Sequence, residues 1–152
     1  MKGIGLIIAI AAALSLAGLG GALAASDAAS GPATVSTART GLGRIITDGR
    51  GRTLYLFEKD TSTTSTCDAA CASYWPPLTT AGTPLAGEGA SAGEVGTTER
   101  DDGQTEVTYN GHPLYYYVGD SKPGDTTGQG LDLFGAEWDA LSPAGTKIES
   151  GS

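Results

Sequence analysis

Basic, imidazole and thiol side chains are all scarce in this chain, and each scarcity closes off a class of function. Nine Lys and Arg stand against seventeen Asp and Glu, a formal net charge of −8. A surface this acidic repels phosphate backbones, which argues against nucleic acid as a partner. The one histidine, His112, falls between an Asn-Gly pair and a proline, and reads as an exposed turn residue. With a single imidazole and no evident nucleophile, a Ser-His-Asp triad has no support. Only two cysteines are present, and Met1 is the only methionine. Copper or zinc would need more ligands than these. Nothing resembles a phosphate-binding glycine loop. No catalytic constellation, cofactor or metal is therefore expected. Aromatic content is 7% and hydrophobic content 39%, enough for one core, and a thin one.

Glycine, by contrast, is abundant at 24 of 152 residues, well above the average of about 7%. That suits tight turns and short strands rather than long helices. The chain opens with Lys2, an uncharged run from Gly3 to Ala25 and the small-x-small sequence Ala22-Leu23-Ala24. This reads as a signal peptide over 1–24, cleaved before Ala25. The run is also long enough for a retained membrane anchor, and an uncleaved leader is the only expected route to a membrane. No cysteine near the cleavage region is available to take a lipid. Residues 25–33 are small and polar, and read as a flexible tether.

The rest is organised by a repeat. Gly51-Arg-Thr-Leu-Tyr-Leu-Phe-Glu-Lys-Asp60 is answered sixty residues on by Gly111-His-Pro-Leu-Tyr-Tyr-Tyr-Val-Gly-Asp120. Upstream, Val35 lies over Val95, Thr37 over Thr97 and Gly43 over Gly103. A match at one fixed offset marks a duplicated unit. Glycine turns divide each copy into β-rich runs: 34–39, 44–47 and 53–58, then 94–100, 105–109 and 114–118. Asn110-Gly111 is the strongest hairpin signal, because a type I′ turn needs positive φ twice. Leu54 and Leu56 share one strand face, Tyr55 and Phe57 the other, so this strand should be covered on both sides. The expected fold is mainly β: one small domain over 34–143, with repeats at about 34–78 and 94–143. Each repeat would be a three-stranded antiparallel meander followed by a loop and a short helix or turn. Residues 79–92 read as a loop between the halves and 144–152 as a tail.

Candidate chemistry clusters after the first motif. Cys67 and Cys71 in an exported chain are most simply a disulfide, with a metal or redox pair as the alternative. At i and i+4 of a helix their α-carbons would lie near the upper end of the bridging range, so the segment should bend at one cysteine. Thr66 or Asp68 suits the start of a short helix that Pro76 and Pro77 end. Asp60 and Asp120 are candidates for a carboxylate pair or for loop capping. Tyr55, Phe57, Tyr115 and Tyr117 are core or a ligand platform, and Trp75, Tyr116 and Trp138 form a possible ligand surface.

These residues resemble the bacterial secreted-repeat family of predicted lipoproteins, defined by a Tyr-x-(Phe/Trp/Tyr)-x-x-Asp motif. The motif stands here as Tyr55–Asp60 and as Tyr115–Asp120, and Cys67, Cys71, Trp75-Pro76-Pro77 and Lys122-Pro-Gly-Asp125 add to the likeness. The resemblance implies an envelope location, outside the cytoplasm, and no established activity. The expectation is an exported, non-enzymatic binding or structural module whose partner is an envelope protein or glycan. The alternative is a metal-binding or electron-transfer accessory that uses Cys67 and Cys71.

Overall fold

The computed structural model describes residues 29–150; the signal peptide expected over 1–24 and the start of the expected tether lie outside them. The described chain is mainly β, with nine strands in three small sheets and one short α-helix. Strands β1 (Thr34–Thr40) and β2 (Gly43–Asp48) form one antiparallel hairpin. Strands β5 (Val95–Glu99) and β6 (Thr105–Tyr109) form its counterpart. Asn110 (φ 49°) and Gly111 (φ 77°) make the expected two-residue turn into β7 (His112–Pro113), both in the positive-φ region that a type I′ turn needs.

In the second repeat β7 completes a three-stranded antiparallel meander with β5 and β6, whereas in the first the third strand does not stay on its hairpin. After a single bridge between Thr53 and Thr47, the first repeat leaves its own hairpin. Strand β3 (Tyr55–Phe57) pairs instead with β9 (Ala136–Ala140), which belongs to the second repeat. The second repeat does the reverse: Tyr115 bridges Pro77 of the first, and Tyr116 N–H donates to Pro76 O. The halves thus exchange strands. At the crossing Tyr55 and Tyr115 exchange both backbone hydrogen bonds (2.8 and 3.0 Å), which puts a pseudo-twofold axis between the two motif tyrosines.

The expected double-sided burial of this strand holds. Leu54 and Leu56 join Val35, Ile46, Val107 and Leu114 in one core cluster, while Tyr55 and Phe57 join Trp75, Tyr115 and Trp138 in a second. Burying so many large side chains on both faces is the main stabilising term, at about 1.5–3 kcal/mol for each large apolar side chain.

The gapless offset of sixty conceals two compensating slips. β1 and β2 are joined by a two-residue turn (Thr40 opposite Gly43), whereas Arg100 faces Gln104 across three residues. The next turn reverses the difference: three residues lie between Asp48 and Arg52, and two between Tyr109 and His112. Thr37 pairs with Ile46 and Thr97 with Val107, so Ile46 corresponds to Val107, and Ile45 to Glu106.

Other segments also differ from the sequence reading. Residues 131–141 are not a helix or simple turn but a hairpin of β8 (Leu131–Leu133) and β9, reversed at Phe134 (φ 62°) and Gly135 (φ 95°). The linker supplies a strand, β4 (Leu85–Ala86), parallel to β1. It binds through backbone groups alone, Leu85 N–H to Ala33 O and Gly87 N–H to Val35 O, so side-chain periodicity could not reveal it. The end of the tether is held as well, Ala33 N–H donating to Thr80 Oγ1. The tail returns along the second half, with Ile148 N–H bonded to Ala140 O. No helix among the described residues is long and apolar enough to cross a membrane.

Candidate functional site

The strand exchange determines where the motif side chains meet. Tyr55 Oη donates to Asp120 Oδ2 at 2.7 Å, and Tyr115 Oη donates to Asp60 Oδ2 at 2.6 Å. Each motif tyrosine therefore binds the motif aspartate of the other repeat. The second oxygen of each carboxylate closes its own loop. Asp60 Oδ1 accepts from Thr66 N–H and Oγ1 (2.7 and 2.6 Å), and Asp120 Oδ1 from Thr127 N–H and Oγ1 (2.9 and 2.6 Å). Both aspartates are 5% exposed. This is loop capping joined to a cross-brace, and every aspartate oxygen is used. The five-residue step from tyrosine to aspartate in the motif thus sets the distance from the axis to the loop. The sequence reading took Thr66 only as a helix-cap candidate and did not single out Thr127; the signal was a threonine six or seven residues after each motif aspartate.

Burial next to carboxylates pushes the ionisation of Tyr55 and Tyr115 far above the ordinary tyrosine value, so both keep the proton they donate. Tyr116 is raised by burial and by Asp48, which accepts its hydroxyl at 2.9 Å.

The aromatic side chains form a second symmetric element. Phe57, Trp138, Trp75 and Tyr117 stack in that order, with centroid spacings of 4.0, 4.0 and 4.4 Å. The two tryptophans, one from each repeat, are the middle pair, parallel within 3°. Tyr55 meets Trp75 edge-on at 5.5 Å, and Tyr115 meets Trp138 edge-on at 5.2 Å. Such pairs add about 0.5–1.5 kcal/mol each beyond area burial. Gly128 must be glycine here, because a Cβ would lie 2.9 Å from Tyr55 and 3.0 Å from Trp75. Trp75 and Trp138 are both fully buried, so they are the centre of the core and not a ligand surface. The strand exchange turned both inward.

Cys67 and Cys71 are disulfide-bonded, with α-carbons 5.2 Å apart. The expected bend lies between them. Cys67 precedes the helix α1 (Ala69–Tyr74), and Ala69 takes φ 47°, a left-handed value that lets the chain turn back. Asp68 is at the N-cap but makes no side-chain cap bond, and Thr66, the other capping candidate, is committed to Asp60. Joined to each other, the sulfurs offer no thiolate ligand to a metal.

The second repeat locks onto this loop. Arg100 Nη2 donates to Cys67 O (2.7 Å), and Nη1 to Ser65 Oγ and Glu106 Oε2 (both 2.8 Å). Ser65 Oγ lies 2.6 Å from Tyr115 Oη, so the ion pair runs into one of the two braces. Burial raises the Glu106 carboxyl even beside Arg100, since its Oε1 is buried without a partner. His112 is half-buried, its imidazole pushed down by burial.

A groove of about 980 Å³ is lined by Tyr116, Tyr117, Pro76 and Pro77 together with the charged residues Arg50, Arg52, Arg100, Asp102 and Asp120. Arg52 lies 5.4 Å over the Tyr116 ring and donates Nη2 to Asp120 O, while its Nε is buried without a partner. Of the proposed ligand surface, only Tyr116 remains accessible. At one end of the groove stand the exposed Val118 and, bonded to it through the backbone, Tyr74, which touches Phe134 at 5.8 Å.

A duplicated β domain closed by crossed Tyr–Asp braces is the class of molecule that these contacts define. A family model described as a secreted repeat of unknown function matches residues 36–79 and again 96–142, and the chain belongs to that family. Its description supports a place outside the cytoplasm. No curated protein and no solved structure matches the chain.

Proposed function

We propose that the chain is a non-enzymatic module of the bacterial cell envelope that holds an acidic glycan in the groove beside Tyr116. The observation that carries this reading is the fate of the motif. The hydroxyls of Tyr55 and Tyr115 and the carboxylates of Asp60 and Asp120 are buried and bonded to one another, which leaves none of them free to act on a substrate. The groove has the opposite character. On a chain of net charge −8 it brings together Arg50, Arg52 and Arg100, with Asp102 and Asp120, beside half-exposed aromatic rings. Ring faces suit the apolar face of a sugar, and a guanidinium suits its carboxylate.

The test is co-sedimentation of the purified mature protein with isolated cell walls stripped of protein. Arg50→Ala, at an exposed position, and Arg52→Ala should each lower the apparent affinity about tenfold or more, and binding should weaken as salt is raised. Unchanged binding by both variants, or no binding of the parent protein to stripped walls, would remove this reading.

A further inference from the structure

Among the described residues, the sheet formed by β3, β9 and β8 is where three carboxylates come together. Phe57 pairs with Trp138, so the next residue, Glu58, stands beside Glu137, its N–H bonded to Glu137 O at 3.0 Å. Asp139 lies two residues beyond Glu137 and therefore on the same sheet face. One carboxylate oxygen from each of Glu58, Glu137 and Asp139 lies within 4.8 Å of the other two. Like charges facing each other across strands are destabilising, so this face needs a counter-charge.

Lys147, on the returning tail, supplies part of it. Its Nζ is 2.6 Å from Glu58 Oε1 and 3.6 Å from Glu149 Oε2. One ammonium does not balance three carboxylates, and among the described residues no basic side chain lies within ion-pair distance of the innermost of them. Asp139 is fully buried. Gln129 Nε2 donates to its Oδ1 at 2.8 Å, while Oδ2 is buried with no hydrogen-bond partner. A buried, unpaired carboxylate oxygen carries a desolvation cost of several kcal/mol unless a cation meets it.

We propose that Glu58, Glu137 and Asp139 bind a divalent cation of the calcium class, with Lys147 as the resident counter-charge that the ion displaces toward Glu149. An all-oxygen set of carboxylates on a sheet, partly open to water, matches a hard cation that accepts irregular geometry and fills its shell with solvent. It suits magnesium less well, because that ion demands near-ideal octahedral geometry, and thiolate-seeking metals not at all. A protein outside the cytoplasm meets calcium at concentrations at which sites of about 0.1–1 mM affinity are used. The other repeat carries no such site: Val118 N–H bonds to Tyr74 O in the place of Glu58 and Glu137, and Pro76 stands opposite Tyr116 as Asp139 stands opposite Leu56.

The experiment is a titration of the chelator-treated mature protein with calcium chloride at constant ionic strength, followed by calorimetry and by the thermal midpoint. Saturable heat with a Kd of about 0.1–1 mM, and a midpoint that rises over the same range, is the expected result. Glu137→Gln should weaken calcium at least about tenfold without lowering the metal-free midpoint, because it also removes a like-charge neighbour. Should Glu137→Gln not fold, Glu58→Gln, at a more exposed position, gives the same readout. Lys147→Gln should tighten binding. No heat and no rise in midpoint at 10 mM calcium, or calcium affinity unchanged in the folded glutamine variant, would overturn the site.

Discussion

Ile45 and Glu106 occupy the same place in the two halves, one a plain hydrocarbon and the other part of an ion pair. Both are completely buried. Around Ile45 the first half is finished by apolar contact. Around Glu106 the second half needs Arg100, which reaches Ser65, Cys67 O and Asp102. The margins differ in the same way. Trp138 Nε1 donates to Leu133 O, whereas Trp75 Nε1 is buried without a partner. One half has a disulfide after its motif, and the other has Gly128 packed against Tyr55 and Trp75. What remains common is the crossed Tyr–Asp braces and the stacked rings. The comparison teaches that the duplicated unit is held by its motif at the axis, and that each copy has diverged away from it.

The most severe way to break that common part is to remove a ring from the middle of the stack. Trp75→Ala and Trp138→Ala should each cost about 3–5 kcal/mol, the range for large aromatic truncation, measured by urea unfolding monitored by circular dichroism. Similar costs in the two halves would support the symmetric reading; a variant costing under about 1 kcal/mol would end it.

The ion pair tests the divergence directly. Glu106→Ala leaves Arg100 charged and buried, and should cost about 3–5 kcal/mol. The double change Arg100→Met with Glu106→Ile copies the hydrocarbon of the first half. It should recover most of that loss, as buried ion pairs replaced by packed apolar residues often do. A double variant no better than the single one would show that the pair does more than fill space.

Replacing one brace hydroxyl should cost less. Tyr55→Phe and Tyr115→Phe each remove one hydrogen bond to a carboxylate, worth about 1.5–3 kcal/mol. The same braces predict an alkaline limit. Tyr55 and Tyr115 ionise at higher pH in the folded protein than in the unfolded chain. Their contribution is therefore complete below the unfolded value near 10 and is lost as pH rises above it. The tyrosinate absorbance of these two residues should appear together with loss of tertiary structure. Tyrosinate formation by all six tyrosines in a protein that is still folded would contradict the brace.

The smallest effect belongs to the feature confined to one half. Replacing both Cys67 and Cys71 by Ser should cost roughly 2 kcal/mol, because closing so short a loop restrains the unfolded chain only modestly. The fold should persist, since Arg100 still holds the Cys67 carbonyl. Loss of cooperative unfolding in that variant would make the disulfide essential.

By itself the sequence determined how the chain repeats and that both faces of the central strand are internal. Leu54 and Leu56 against Tyr55 and Phe57, the positive-φ turn at Asn110-Gly111, the proline stop after the helix and the Cys67–Cys71 bridge are local consequences of periodicity, turn chemistry and spacing. Tertiary structure alone decided the partners. An alternating apolar strand looks the same whether it pairs with its own hairpin or with the other repeat, so the strand exchange left no local trace. With the exchange came the crossing of Tyr55 to Asp120 and of Tyr115 to Asp60, and the burial of Trp75 and Trp138. Two opposite one-residue slips kept the offset at sixty while placing Glu106 where Ile45 stands. Hydrogen bonds from backbone to backbone, as at Leu85–Ala86, carry no side-chain signature, and a contact between residues sixty apart depends on how the chain closes in space.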